Sequence, residues 1–509
     1  MTVDPVSEFV LRKLIDFKVP LDAVGAAEVI RIRGNIDSLG IPDAVSNLDS
    51  AFAALEKAAG SYVDSQAQVI AAGPAADPAP VLGTWRVAGL RLEMGHRTDG
   101  VGTFGTFSEN AGFALETVGG QLVVRPGVVE GTTRFVEQSQ SVSGHHDLYG
   151  PEVELDPLDP GAAPIAGVLR LLGDRSFAFD LGVEEDVIPE NNFARRQASG
   201  TEILHFAGDS LRVGLNRAYE QLYGVSGNQL DEANFRGERL LSMLSVAGRE
   251  PATLTASDFN GNKYGLVEFG VDLGANYVGA AGYLHELSFN AGAGTVTSAA
   301  DDEVELEHHY GIAPVRHTPN ESFVLDYAID GKQLVLSDEG KEAIRFSVAG
   351  DADAFFASNM VDDGTIEQAL LLAVKLPSTQ PDMDGRRYRI QGMGTRMHRV
   401  GDQDHLAIEL EGHGELVFEG SNVSLQGWRS RMIERFRTTD GPTVTVSGPD
   451  NGPVVSVAHG ATPGAITFTA DKATFKGFVS ADGRVLVLRH DLADDAGQSL
   501  GMWIGLRVD

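Results

Sequence analysis

From Pro80 onward the apolar residues of this chain recur at every second position in short runs, with turn residues between them at intervals of roughly 8 to 15 residues. Thr103-Phe104-Gly105-Thr106-Phe107, Ser176-Phe177-Ala178-Phe179, Glu321-Ser322-Phe323-Val324-Leu325, Thr443-Val444-Thr445-Val446 and Ala465-Ile466-Thr467-Phe468 are examples. Successive side chains of a strand point to opposite faces, so each run has one face for a core and one for another environment. Long helical patterns are lacking here. The spacing predicts a mainly β protein, with three tandem antiparallel β-barrel or sandwich units behind an N-terminal α-helical segment.

Three features recur along this region. Each unit opens with glycine followed by a large aromatic: Gly83-Thr84-Trp85, Gly261-Asn262-Lys263-Tyr264 and Gly385-Arg386-Arg387-Tyr388. Each carries a late Gly/Ala-Asp signal, at Ala207-Gly208-Asp209, Ala349-Gly350-Asp351 and Ala481-Asp482-Gly483. Each closes on an apolar run, Leu241 to Val246, Leu370 to Val374 and Met502 to Leu506. From Asp351 to Ala369 and from Asp482 to Leu500 the spacing is the same, 18 residues. The units expected from these signals are 81–250 (with insertions), 251–377 and 378–509. A final strand at constant distance from the first suits a barrel that pairs its two ends and leaves no open edge, or one that pairs with a neighbouring molecule.

The segment Leu82-Gly83-Thr84-Trp85-Arg86-Val87 resembles the G-x-W first strand of lipocalins and other calycins. That resemblance implies up-and-down antiparallel barrels, either holding a small apolar ligand or filled, with the aromatic plugging one end.

Ahead of the β region, Asp4-Pro5 is a helix start, a capping carboxylate followed by proline at the first helical position. Val45, Leu48, Phe52, Leu55, Ala59, Tyr62, Gln66 and Val69 then alternate steps of three and four, a heptad register. Residues 1–72 are read as helical. Val45, Leu48, Phe52, Leu55, Tyr62 and Val69 are the candidates for oligomerisation, against a helix packed in a local bundle. Gly73 to Pro80 is a proline-rich linker.

A net charge of −32 disfavours nucleic acid and anionic membrane faces as partners, since both reward positive charge. Zero cysteines exclude disulfides, thiol nucleophiles and cysteine-based zinc sites. No run of about 18 apolar residues is present for a transmembrane helix, and MTVDPVSEFVLRKLIDF lacks the apolar core of a secretory signal. An extracellular, cell-surface or particle-associated location is expected, with the cytoplasm as the alternative.

Catalytic signatures are few. Gly100-Val101-Gly102-Thr103-Phe104-Gly105 matches the dinucleotide fingerprint by letter, but it leads into an alternating run where that mechanism needs a helix N-terminus. It reads as a hairpin turn. No G-x-S-x-G elbow occurs, and no enzymatic activity is assigned. The paired histidines His145-His146 and His308-His309 are candidate metal ligands, the latter following Glu303, Glu305 and Glu307. Neighbours on a strand diverge, so either pair would need ligands from elsewhere, and solvated strand ends are the simpler reading. Asp258, Asn260 and Asn262 have the spacing of the first calcium-loop ligands, yet Lys263 and Phe269 stand where such a loop needs glycine and glutamate. No cofactor is expected. Zinc or nickel at the histidine pairs is left open, as is calcium at Asp301-Asp302-Glu303 or Glu184-Glu185-Asp186.

The last unit has a different charge character. Residues 381–509 hold 17 acids against 14 bases, so nearly all the net charge lies upstream. Arg386, Arg387, Arg389, Arg396, Arg399, Arg429, Arg431, Arg435 and Arg437 crowd into two segments. Guanidinium forks match carboxylates, which makes Arg386, Arg387, Arg389, Arg429, Arg431, Arg435 and Arg437 candidates for assembly or ligand contact. Pairing with local acids is the alternative. Together these features point to a non-enzymatic structural or adhesive protein that self-assembles, through its N-terminal helices or barrel-to-barrel contacts, into an oligomer or filament at a bacterial surface or in a phage-like particle. The competing reading is a binding module for a small hydrophobic ligand or glycan.

Overall fold

The computed structural model describes residues 82–508, apart from short stretches at 119–120, 141–145, 157–162, 165–167, 174–175, 181–183, 190–191, 208–209, 299–301, 321, 351, 363–364, 401–402, 437–441 and 495–496. The expected helices of residues 1–72, with Val45, Leu48, Phe52, Leu55, Tyr62 and Val69, lie outside the described residues, as does the 73–80 linker. From residue 82 on, the alternating runs become strands of three antiparallel sheets.

The first sheet contains β1 (Gly83–Arg97), β2 (Gly102–Val118), β3 (Gln121–Gln140), β4 (His146–Asp156), β5 (Ala163–Pro164), β6 (Val168–Gly173), β7 (Ser176–Asp180), β8 (Glu184–Ile188), β9 (Phe193–Ala207), β10 (Leu211–Ser226) and β11 (Gln229–Arg249). Its order is β4-β3-β2-β1-β11-β10-β9-β7-β6, with β5 on β3 and β8 on β9. The glycine-rich GVGTFG segment forms the turn from β1 into β2, where Gly100 has a φ of 83°.

The second sheet contains β12 (Lys263–Gly274), β13 (Tyr277–Asn290), β14 (Thr295–Ser298), β15 (Asp302–His309), β16 (Val315–His317), β17 (Phe323–Asp330), β18 (Gln333–Asp338), β19 (Lys341–Ala349), β20 (Ala354–Asp362) and β21 (Ile366–Lys375). Pairing runs β12-β21-β20-β19-β18-β17-β14-β13 and returns to β12, which closes an eight-stranded ring. The hairpin β15-β16 hangs from β13 outside that ring.

The third sheet contains β22 (Arg387–Val400), β23 (Gln403–Glu419), β24 (Asn422–Phe436), β25 (Thr443–Asp450), β26 (Val454–Ser456), β27 (Ala458–His459), β28 (Ala465–Ala470), β29 (Ala473–Val479), β30 (Val485–Asp494) and β31 (Gly497–Val508). Its order is β25-β24-β23-β22-β31-β30-β29-β28-β27, with β26 on β24. In all three sheets the first strand lies between the second and the last. The apolar closing runs therefore sit in β11, β21 and β31 with a partner on either side, and each pairs with the opening strand of its own sheet.

Alternation along the opening and closing strands builds two kinds of core. Leu90, Leu92 and Met94 of β1, Val267, Phe269 and Val271 of β12 and Met502 and Ile504 of β31 belong to one continuous apolar cluster that all three sheets share. The opposite faces enclose separate clusters within each sheet, around Trp85, around Phe259 and Tyr264, and around Tyr388 and Trp503. Gly265 of β12 shows how closely the sheets approach: a Cβ there would lie 2.2 Å from the ring of Phe478 in β29. Only glycine tolerates that contact.

The recurring aromatics acquire a role in this arrangement. Tyr264 donates its hydroxyl to the carbonyl of Ala352 at 2.8 Å, and Tyr388 donates to the carbonyl of Gly483 at 2.8 Å. In the second and third sheets the opening aromatic thus ties the first strand to the late Gly/Ala-Asp turn. Both rings are fully buried, so the hydroxyls need such partners.

Candidate functional site

Several buried polar side chains lie where the sheets meet and donate to main-chain carbonyls of another sheet. Arg431 of β24, fully buried, donates from Nη2 to the Leu241 carbonyl at 2.7 Å and to Ser242 Oγ at 3.1 Å. Four residues along the same strand, buried Arg435 donates to the Thr103 carbonyl at 2.7 Å. Gly102 makes room for it, since a Cβ there would stand 2.7 Å from Nη1. Gln391 of β22 donates to the Ile203 carbonyl at 2.6 Å. These groups join the third sheet to the first.

The third sheet grips the second in the same way. Arg489 of β30, 1% exposed, donates to the carbonyls of Asp302 at 2.5 Å and Gly282 at 3.1 Å, and to Asp302 Oδ1 at 2.7 Å. Lys476 shares the Asp302 carboxylate. Arg489 and Lys476 hold that carboxyl below its usual range, although burial alone would raise it. Arg316 forks onto Asp491 at 2.7 and 2.5 Å. Between the first and second sheets, the buried amide of Gln138 donates to the Gly274 carbonyl at 2.5 Å and accepts from the Tyr310 hydroxyl at 2.5 Å. Asn110 and Ser358 exchange hydrogen bonds of 2.8 and 3.0 Å, an amide standing in for a strand neighbour.

Two further polar groups lie on inner faces. In the first sheet Arg239 bridges Glu93 at 2.9 Å and Glu220 at 2.8 Å, and Arg91 adds a second contact to Glu93 at 2.5 Å. Burial would raise the Glu93 carboxyl, but Arg239, Arg91 and Arg195 outweigh it and hold it down. In the closed ring, Glu268 of β12 lies opposite Tyr283, which in turn faces Glu303. Tyr283 donates to Glu305 at 2.9 Å. Burial, with Asp272 and Glu303 nearby, pushes Glu268 up to about 7 against the weaker opposing pull of His285. Among the described residues no group of three or more His, Asp or Glu side chains is arranged to hold a metal ion.

The sequence candidates fall in several places. His308 is fully buried against Tyr310 and His309 is exposed on Tyr277, on opposite faces of β15. His146 begins β4, and its side chain, like His145, is outside the described residues. Asp258 accepts from the Thr255 amide at 2.7 Å, and the Asn260 side-chain Oδ1 from the Ala291 amide at 3.0 Å, so both serve turns. Arg387 and Arg389 share Glu415, Arg386 reaches Gly483, Arg429 is half-buried beside His413, and Arg437 is outside the described residues. Arg431 and Arg435 lie inside the molecule and are not surface contacts. Main-chain carbonyls as the acceptors had no signal in the sequence; the glycines at the close approaches were the one trace.

No protein-family model matches the chain, and no curated protein does. Solved structures similar to it include Pseudomonas aeruginosa OccK7 (OpdD), at 8% identity and TM-score 0.19, covering 84% of this chain and 98% of that one. Transferrin binding protein B from serogroup B Neisseria meningitidis is 7% identical at TM-score 0.19, over 82% of this chain and 77% of its own. Acinetobacter baumannii OccAB4 is 9% identical at TM-score 0.15, over 85% and 100%. Such values reflect shared strand content and carry no relationship. The lipocalin resemblance of the opening strand does not hold: β1 lies in a sheet that runs from β4 to β6 without closing into a barrel among the described residues. A tryptophan two residues after a glycine marks only a strand entering a core, and among the described residues one of the three sheets closes into a ring. That ring is filled by Phe259, Tyr264, Phe289 and Phe355, with centroids 5.0 to 6.1 Å apart.

Proposed function

We propose that this chain is a non-enzymatic structural protein that associates with further copies of itself, as a bacterial surface component or part of a phage-like particle. The observation that carries the reading is the position of its exposed apolar side chains. Tyr149 and Val153 lie on β4 and Val315 on β16, strands that have one pairing partner each among the described residues. An open edge with exposed apolar groups is a template for another strand. The closing strands, by contrast, are paired on both sides within the molecule and offer no such edge. Several buried polar groups join one sheet to another, which suits a rigid building block. The apolar outer face of the closed ring meets the other two sheets, so the reading needs no lipid around it.

Size-exclusion chromatography with light scattering tests this, followed by negative-stain microscopy of the largest species. Association that rises with concentration and is reduced by Val153→Lys or Val315→Lys is the expected result. A monodisperse monomer at every concentration and salt level overturns it. Deleting residues 1–80 separates the contribution of the heptad segment from that of the sheet edges.

A further inference from the structure

The inner face of the closed ring is aromatic at one end and rich in carboxylates at the other. β13 pairs with β14 from Leu287 to Asn290 and with β15 from Tyr277 to Leu284, so that face continues onto the β15–β16 hairpin. Along β12 the residues that alternate with Tyr264 and Leu266 of the aromatic cluster are Glu268 and Asp272. Glu268 stands in register with Tyr283 and, beyond it, Glu303 of β15; Asp272 stands between Glu367 of β21 and, past Gly279, Glu307 of β15. Glu305 lies between these rows and accepts from the Tyr283 hydroxyl at 2.9 Å. Glycines draw the groups together. A Cβ at Gly270 would lie 2.3 Å from Glu367 Oε1, and one at Gly279 would lie 2.2 Å from the Tyr277 hydroxyl and 3.0 Å from Asp272 Cβ.

Like charges on neighbouring strands oppose pairing, and a carboxylate buried among others favours its protonated form. Burial, and then Asp272 and Glu303, push Glu268 up to about 7, with His285 opposing. Burial and then Glu367, Glu305 and Glu268 raise the Tyr283 hydroxyl; burial and then Asp272, Glu307, Glu305 and Glu367 raise that of Tyr277. His309, its ring 4.9 Å from that of Tyr277, and His317, 3.3 Å from Glu307, complete the titratable groups that β13, β15, β16 and β21 bring to this face. β12 is fixed by β21 on one side and β13 on the other, whereas the hairpin ends at β16, which has β15 as its one pairing partner among the described residues. The side of the seam that yields is therefore the hairpin. Lifting β15 from β13 lets water reach Glu268 and returns its carboxyl to the ordinary range. The closed seam binds the proton more tightly than the open one, so the proton's support for closure is full at low pH and is lost as pH rises from the ordinary carboxylate range through about 7.

We propose that the β13–β15 seam is a pH-sensitive latch, closed while Glu268 carries its proton and loosened once Glu268 ionises, so that the hairpin gives way while the aromatic end of the ring stays shut. On its other face the hairpin is joined to the third sheet by Asp302 with Arg489 and Lys476, and by Arg316 with Asp491. Those ion pairs involve groups outside the seam and keep the loosened hairpin close to the molecule.

Hydrogen–deuterium exchange of the full chain, read by mass spectrometry between pH 5 and pH 8 and corrected for the intrinsic pH dependence of amide exchange, tests the proposal. Protection of the β15 amides is expected to fall about tenfold or more across that range, while β17 and β18 keep theirs. Glu268→Gln has no charge to gain and holds the seam at both ends of the range. Glu303→Gln, which leaves Glu268 in place with one carboxylate neighbour fewer, moves the midpoint of the loosening to lower pH. Since β15 is paired on both sides within the chain, association at the outer edge of β16 does not set this readout. Protection of β15 that is equal at the two pH values, that falls by the same factor in Glu268→Gln, or that falls together with that of β17 and β18 overturns the proposal.

Discussion

Glu93 and Glu268 occupy comparable places, each on the inner face of the opening strand of its sheet, and their carboxyls are driven in opposite directions. In the first sheet, which is open among the described residues, Glu93 is surrounded by Arg239, Arg91 and Arg195, which hold it ionised against its burial. In the second, which closes into a ring, burial raises Glu268, with Asp272 and Glu303 adding to it and His285 alone opposing. The same residue type is a structural anion in one place and a proton carrier in the other. What differs is the company: the open sheet supplies arginines from β1, β9 and β11, and the ring supplies carboxylates and aromatic rings.

Substitutions in the two sheets should act differently. Phe259→Ala empties the centre of the ring cluster and is expected to cost about 3–5 kcal/mol, read by chemical unfolding. Arg239→Ala in the first sheet leaves Glu93 and Glu220 buried and facing each other, for a loss of about 3 kcal/mol. The two losses separate by pH: acidification into the carboxylate range relieves the second and leaves the first unchanged.

A third test concerns the direction of pH dependence. Glu268 has a folded pKa raised to about 7, so the folded state holds the proton more tightly, and its contribution falls as pH rises from the ordinary carboxylate range through about 7. Glu268→Gln should remove that slope, on the order of 1–3 kcal/mol between about pH 5 and about pH 8. His490, inside the third sheet with its ring 5.9 Å from Trp503, behaves in the reverse sense. Burial pushes it to about 3, so stability is lost as pH falls below the ordinary histidine value, and His490→Phe flattens that limb. The smallest effect expected is at the surface: Arg345→Ala, which breaks exposed pairs to Glu342 and Asp330, should change stability by about 0.5 kcal/mol or less in urea unfolding. A larger loss there would mean that surface charge, and not the inner faces, distinguishes the sheets.

Much of the β architecture was legible in the chain. Thr103 to Phe107 lies in β2, Ser176 to Phe179 in β7 and Ala465 to Phe468 in β28 because alternation with a period of two has one structural meaning. The candidate sites were less so. The arginine crowding of residues 386–437 was visible, but its alternation sends Arg431 and Arg435 into the molecule, onto carbonyls that every residue possesses. A main-chain acceptor has no letter. His308 and His309 likewise read as a pair, while the strand sends one to the core and one to solvent. Nor does the period of an apolar run distinguish a face that meets solvent from one that meets another sheet, which is why the shared core was not foreseen.

The pairing of each first strand with the last of its own sheet sets a timetable for synthesis. Arg86 and Glu250, joined across β1 and β11, are 164 residues apart, an interval on the order of ten seconds of translation. During that wait β1 has β2 beside it and a bare edge on its other side, the kind of non-local closure that makes folding slow and exposed to wrong partners. The third sheet is the last to leave the ribosome, and it carries Arg431, Arg435 and Arg489, whose guanidiniums reach back into the two sheets already made. A chain truncated before β24 would have its first two sheets and none of these clasps, so nascent-chain length, more than local sequence, decides when the molecule becomes resistant to proteolysis.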